Sequence, residues 1–506
     1  MRFNQEPPLI APNLILMKER RQIMYTDLRE YLADLENRRE LVRVKEEITD
    51  GHEIFSLIWE LNKKSGPAVI LENVKGFDVP VVTNIFGTMN RFASSCGFPR
   101  GLSINEYRDL FLNRLDKSKW IPPRLVKSGP CKEVILSGKE VDLGKFPILQ
   151  WHPDDGGAYI TLPIVIAKDD KFGRNAGIYR MMVHDNRSTG IMCNIFQDQG
   201  IYMGKAKKKG QQSGMPCAVA IGADPSLYIA AVTKLRFNED EFAFASALRD
   251  GAPIDMVKCE TIDMEVPASS EIVLEGEIAF NRGKMEGPFG EWMGYFEEGM
   301  LLPVFEVKCI THRRNPLYLM TIEGPQMGDA EILRMIPQIA TFTVQAKERI
   351  TGFVDGWLPP AGRNYSAFIS IKKRYPGWGK TAIYQAFSMP YIASSANLVI
   401  VTDDDIDVTN PDDVVWALST RVDPYQDVII TPPIGGYPLN PAGSVRPVEF
   451  PNTGLTDITF ASKIGIDATL KWQGEGRTRP TAQPVKPREE ILQRVIAKWN
   501  DYGLAD

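Results

Sequence analysis

Apolar and polar positions alternate in three different rhythms along this chain. Leu28, Tyr31, Leu32 and Leu35 recur at helical spacing and predict an amphipathic helix over 27–41. Ile54, Leu57, Ile58 and Leu61 predict a second helix. The runs 67–74 and 79–86 read as buried strands, separated by a Lys75-Gly76-Phe77-Asp78 turn. These elements make a small α/β unit over 26–125, preceded by a proline-rich and then charged arm over 1–25. From 126 to 325 the rhythm changes to apolar runs and turns. The candidate strands 160–168, 177–183, 218–222, 271–278 and 304–310, with few long helical patterns between them, predict a barrel-like or split sheet. A helical connector follows over 326–350, and Pro337 is expected to kink or divide it.

Strands and helices then alternate over 351–475, as in a second α/β domain. The run 397–402 reads as a buried strand. Asn410-Pro411-Asp412-Asp413 is a helix start, with a capping side chain, a proline at the first position and acids on the positive end of the dipole. A linker over 474–487 leads to a last helix over 488–501. Its stripe of Ile491, Leu492, Val495, Ile496 and Trp499 needs a docking surface, either the chain's own domain or another subunit. The fold class is therefore α/β (α+β).

Composition narrows the function classes. The chain has 506 residues, 43% hydrophobic and 24% charged, which is ordinary for a globular protein of two or three domains. A net charge of −5 gives no basic footprint for nucleic acid. The lysine run at 205–209 reads as a solvated helix face. No apolar run approaches the ~20 residues that span a bilayer. The N-terminus lacks the shape of a signal peptide. The six cysteines are dispersed with no C-x-x-C pair, which fits a reducing cytoplasm. With only four histidines and no H-E-x-x-H or H-x-H spacing, proton work falls to carboxylates.

The most informative stretch is Glu286-Gly287-Pro288-Phe289-Gly290-Glu291. Pro288 and Gly290 exclude a continuous helix and favour a tight turn that folds both glutamates toward one cavity. Two carboxyls in one cavity tend to leave one protonated at neutral pH, which is how an enzyme obtains a general acid. The bland alternative is a glycine-rich hairpin with two solvated glutamates. A second segment, Asn175-Ala176-Gly177-Ile178-Tyr179-Arg180, places an arginine among apolar strand residues. Such an arginine needs a carboxylate partner, and a structural salt bridge is its bland alternative.

Together these two segments resemble the UbiD family of decarboxylases, which use prenylated flavin mononucleotide. In that family an arginine from a G-[IM]-x-R strand meets two glutamates from an E-x-P-F-G-E turn, here Arg180, Glu286 and Glu291. Further similar segments are 155–161, 266–276 and 416–421, so the likeness covers nearly all of 26–500. The resemblance implies that 126–325 is a split-barrel flavin-binding domain and that 351–475 mediates oligomerisation. It implies a homodimer or homohexamer, and a second subunit as the dock for the last helix. Reversible non-oxidative decarboxylation of an aromatic or α,β-unsaturated acid would run through a covalent prenylated-flavin adduct, with Glu291 as proton donor. A flavin prenyltransferase would supply the cofactor.

Asn175, Ile178, Tyr179 and Arg180 would line the cofactor. Asn175 and Glu241, with Glu239 and Asp240 as rival placements, would hold Mn²⁺ or Mg²⁺ at its phosphate, and K⁺ is a further ion. An acidic helix start is the bland reading of that cluster. The family's usual third ligand is a histidine. Here Gln197 falls at that position, with Asp198 beside it. Tyr391–Ala396 also lacks the basic residue that many relatives carry near the phosphate. Tyr437 and Leu439 lie on a loop that lines the substrate side in relatives.

Two motifs are dismissed. Gly379-Lys380-Thr381 lacks the first glycine of a P-loop. Asp403-Asp404-Asp405-Ile406-Asp407 lacks the later ligands of a calcium loop. No G-x-G-x-x-G follows a strand, so a Rossmann site has no support. A non-catalytic flavin-binding subunit of a larger carboxylase and an ordinary flavin oxidoreductase remain as competing functions.

Overall fold

The computed structural model describes residues 24–193, 197–209, 213–450, 454–475, 485 and 487–504, and it divides into two compact units. The first runs to Val344 and takes in Pro360–Arg363 and Pro438–Ala442. The second holds Gln345–Pro359, Asn364–Tyr437 and Gly443 onward. Nearly all of the predicted arm and most of the predicted linker lie outside the described residues.

In the first unit, helix Leu28–Asn37 begins where the Asp27 carboxylate accepts the Glu30 amide, and it buries Leu28, Tyr31, Leu32 and Leu35. Helix Gly51–Lys63 is capped in the same way by Asp50 and buries Ile54 and Ile58. Each such aliphatic side chain contributes roughly 1.5–3 kcal/mol when fully removed from water. Strands Leu41–Val44, Ala68–Leu71 and Val81–Thr83 form a sheet whose fourth strand is Tyr318–Leu319. That last strand has two residues and pairs in parallel with Val81 and Val82. So short a strand, distant in sequence from its partner, carries no local signal.

The central sheet has nine strands. Eight run in the order Tyr159–Ile160, Met181–Asp185, Ser188–Gly190, Met300–His312, Ile272–Glu286, Gly214–Ile221, Ile164–Asp169 and Gly173–Ile178. Val134–Ser137 adds to Met300–His312. This is the half-barrel of a split-barrel domain. The predicted strand over 177–183 is in fact two strands, with Tyr179 and Arg180 in the break between them. The predicted strands 271–278 and 304–310 are parts of a longer antiparallel pair, Ile272–Glu286 against Met300–His312, the first of them only its near half. The far half of the first strand is largely exposed around Asn281–Gly283, so it lacks the apolar run that marks a buried strand.

Pro337 does not divide the connector, because Asp329–Arg349 is one helix of 21 residues. A proline inside a helix costs about 3 kcal/mol. Leu333, Ile336 and Ile339 are buried on either side of it, and their combined burial exceeds that cost.

In the second unit, Phe353–Trp357, Ser366–Ile371, Leu398–Asp403, Ile464–Asp467 and Val428–Ile430 make a five-stranded sheet with three parallel strands at its centre. Helix Pro411–Arg421 starts at the Asn410 cap, as its sequence predicts. Gly379 and Lys380 lie in helix Trp378–Phe387, where the missing side chain of Gly379 leaves room for the Asp467 carboxylate. Asp403 and Asp405 both pair with Arg421. The last helix, Glu489–Ala497, is shorter than predicted and continues as the turn Asn500–Tyr502; it buries none of its residues. Among the described residues no helix is long and apolar enough to cross a membrane.

Candidate active site

Glu286 ends the long strand Ile272–Glu286 and pairs with Met300. The chain then turns through Gly287, at φ +101°, and a cis peptide to Pro288. Phe289–Gly290 forms a small antiparallel ladder with Phe296–Glu297, which brings Phe289 opposite Glu297. The Glu291 amide donates to the Tyr295 carbonyl at 3.0 Å and closes this hairpin. Three glutamates, at 286, 291 and 297, are thereby gathered by one turn.

The segment 152–157 holds the turn from behind. The Gly156 amide donates to the Pro288 carbonyl at 2.7 Å, and the Gly290 amide donates to Asp155 at 2.9 Å. A side chain at Gly156 would stand 2.1 Å from the Gly287 carbonyl oxygen, so only glycine fits this approach. His152 lies 3.1 Å from Asp155 through Nδ1, and its Nε2 lies 2.9 Å from the Glu323 carbonyl. Burial works against its charged form, but Asp155 and that carbonyl outweigh burial and hold its pKa above the ordinary value.

Arg180 leaves the break between Gly173–Ile178 and Met181–Asp185 and enters the same pocket. Its Nε and Nη2 donate to the two Glu286 oxygens at 3.1 and 3.0 Å. Nη1 donates to Glu291, and Nη2 lies 2.7 Å from Glu297. The guanidinium also covers the Phe289 ring at 4.6 Å. All four side chains are at most 10% exposed. One positive charge therefore faces three buried carboxyls. Burial, reinforced by the charge of Glu323, pushes the Glu291 carboxyl up to about 8. Burial likewise raises Glu297 to about 7, against the opposing pull of Arg180. The structure thus brings together Arg180, Glu286 and Glu291, which the sequence pointed to. It adds Glu297, which sequence reasoning missed. The signal available for Glu297 was hairpin register: a turn centred on Trp292–Tyr295 sets 289 opposite 297.

A second cluster surrounds Asn175. Glu241, the first residue of helix Glu241–Leu248, accepts the Asn175 side-chain amide at 3.3 Å and the Ala176 backbone amide at 3.0 Å. The rival acids are engaged elsewhere. Glu239 pairs with Lys117 at 2.7 Å, while Asp240 caps the helix and meets Arg174 at 3.1 Å. The Asn175 side-chain oxygen, Oδ1, is buried with no hydrogen-bond partner. Burial raises the Glu241 carboxyl to about 8. An orphaned amide oxygen beside a carboxyl whose charge is uncompensated fits a hard divalent cation, which takes oxygen donors.

Gln197 is exposed at the start of helix Asp198–Lys208; Asp198 beside it is close enough for its charge to act on Glu241. Among the described residues no three His, Cys, Asp or Glu side chains gather as a metal cluster. Ile178 is half-buried, and Tyr179 is buried and lies back over Gly177. Tyr437 belongs to the second unit, where its ring lies 6.4 Å from that of Tyr365. Leu439 belongs to the first.

Three family models match successive parts of the chain. They are the 3-octaprenyl-4-hydroxybenzoate carboxy-lyase N-terminal domain over 32–111, the Rift-related domain over 124–326 and the C-terminal domain over 332–468. The chain belongs to the UbiD family. Membership makes it a carboxy-lyase.

An uncharacterised protein of Archaeoglobus fulgidus is 37% identical over 94% of this chain and 98% of its own. The vanillic acid decarboxylase of Sedimentibacter hydroxybenzoicus in its closed form is 31% identical over 94% of this chain and 99% of its own, with a TM-score of 0.82. The UbiD-class enzyme HmfF of Pelotomaculum thermopropionicum, in complex with FMN, is 33% identical over 90% of this chain and 97% of its own, with a TM-score of 0.76. An evolved dimeric form of HmfF was solved in complex with prFMN, and matches at a TM-score of 0.75, 33% identity, and 90% and 97% coverage.

Proposed function

We propose that this UbiD-family chain catalyses the reversible, non-oxidative decarboxylation of an aromatic or α,β-unsaturated carboxylic acid, with prenylated FMN as cofactor and Glu291 as proton donor. One observation carries this reading. One guanidinium, that of Arg180, contacts Glu286, Glu291 and Glu297 together in a buried pocket, and this excess of carboxyls favours protons on carboxyls at neutral pH. The most deeply buried of the acids with a raised pKa, Glu291, suits the donor role.

When bound, prenylated FMN supplies a ring carbon to which the substrate attaches covalently and a π-system that takes up charge as CO₂ leaves. The side chains do the rest. Glu286 is doubly bonded by Arg180 and stays the fixed counter-charge, while Arg180 orients the substrate carboxylate. Glu291 delivers its proton to the carbon that has lost CO₂. Asn175 and Glu241, with Gln197 or the adjacent Asp198, would hold Mn²⁺ or Mg²⁺ at the cofactor phosphate, with K⁺ a further ion. Ile178 and Tyr179 would line the flavin, and Leu439 the substrate. The exposed stripe of the last helix supports a homodimer or larger homo-oligomer, and the dispersed free cysteines support a cytoplasmic setting.

The test is expression with a flavin prenyltransferase, followed by a screen of aromatic acids for CO₂ release. Glu291→Gln should lower turnover by roughly 100- to 10,000-fold, the worth of a positioned acid, while cofactor absorbance and fold persist. Normal turnover in that variant would overturn the assignment. An oxidoreductase would instead carry a flavin whose spectrum and mass lack the prenyl addition. A non-catalytic subunit would release CO₂ only when a partner chain is added.

A further inference from the structure

A donor that gives up its proton in every cycle must be reloaded, and the residues around Glu291 provide for this. The loop after Tyr318–Leu319 brings Glu323 to the hairpin, where its carboxylate accepts the Trp292 amide, next to Glu291, at 2.9 Å. A side-chain hydrogen bond joins Glu323 to Glu291. Two carboxyls can bond in this way only by sharing a proton. On its far side Glu323 meets Arg334, whose guanidinium lies 3.6 Å away and stacks over the Trp292 ring at 4.8 Å. Arg334 is itself fixed from helix Asp329–Arg349, through Nε to the Ala330 carbonyl at 2.8 Å. The Trp292 amide and Arg334 already face the two Glu323 oxygens, so the proton that the pair shares is carried by Glu291. The Glu323 side chain is 18% exposed and that of Glu291 8%, so the route to water runs through Glu323.

We propose that Glu323 is a positioning residue that keeps the proton on Glu291 and returns one after each turnover; the proposal rests on Glu291 being the donor. Once Glu291 has protonated the carbon it is a carboxylate. Glu323 takes a proton from water and passes it across the shared hydrogen bond, leaving Glu291 protonated and Glu323 anionic. One proton enters, one is consumed in the C–H bond, and no oxidation state changes. The groups facing the pair are Arg180, Glu286 and Glu297 on the Glu291 side, and Arg334, the Trp292 amide and His152 behind the Glu323 carbonyl.

Two substitutions should act with opposite sign. Glu323→Gln keeps an oxygen for the Trp292 amide and removes the negative neighbour, so Glu291 should lose its proton about 1 pH unit lower. Arg334→Gln removes a positive neighbour, so the upper pKa of the pair should rise. The measurement is an infrared titration of the cofactor-free protein carrying ¹³C-carboxyl glutamate, with Glu291→Gln identifying the band. The alkaline limb of the rate profile of the holoenzyme should move in the same directions. Glu323→Gln should keep its first turnover and slow later ones about tenfold.

An unmoved Glu291 titration in both variants, or the same direction of movement in both, would overturn the proposal. A Glu291→Gln enzyme that turns over normally would instead remove the donor assignment beneath it, and the two failures are thereby told apart.

Discussion

Arg180 brings a single positive charge to three acids that would otherwise be buried against one another. Removing it should be costly: Arg180→Met is expected to lower stability by about 3–5 kcal/mol at pH 8, the usual loss when one side of a buried ion pair is deleted. Denaturant unfolding would measure this, and the deficit should shrink at pH 5, where the carboxyls take up protons. The wild type has the same sensitivity in weaker form. Glu291 and Glu297 have folded pKa values of about 8 and 7, above the ordinary 4.5. Between 4.5 and those values the folded state binds more protons than the unfolded state, so stability falls as pH rises. The two groups cost nothing below 4.5 and their full amount above about 8. Thermal midpoints across pH 5–9 should fall over that window, and more shallowly in Glu297→Gln. At this scale the motif residues Arg180, Glu286 and Glu291 were legible, because their chemistry is carried by identity and spacing. Glu297 and Glu323 were not, since each becomes part of the site only through a cross-strand register or a loop return.

Among elements, the hairpin at 286–297 depends on glycines that act as space rather than as flexibility. Gly156→Ala would push a methyl into the Gly287 carbonyl. It is expected to cost about 1–3 kcal/mol and to displace the turn, so turnover should drop more than the denaturation midpoint suggests. Both quantities can be read on one preparation. The helix start at Asn410 was legible to the residue, because capping is a local interaction, and the first helix was read from Asp27, the residue that caps it. Strand limits were not. The outer half of Ile272–Glu286 is held by pairing with Met300–His312, and an exposed polar stretch gives no apolar pattern to show it. The break that frees Arg180 from its strand was invisible for the same reason. Pro337 marked a break that packing overrode.

For the whole molecule, the Asn175–Glu241 pair predicts a linkage to divalent metal. Mn²⁺ at one hundred times its dissociation constant should stabilise the fold by about 2.7 kcal/mol, and Glu241→Gln should abolish that gain. A thermal shift with and without the metal, on cofactor-free protein, checks it. The order of elements, the amphipathic helices, the capped starts and the three acid-base residues were determined by the sequence alone, because each depends on neighbours within a turn or two or on a motif that travels intact. Tertiary structure decided the rest: that Tyr318–Leu319 completes the first sheet, that Glu241 rather than Glu239 or Asp240 faces Asn175, and that Glu297 and Glu323 join the site. Those outcomes depend on which distant segments share a sheet and in what register, and the competing arrangements differ in pairing and burial rather than in any local preference.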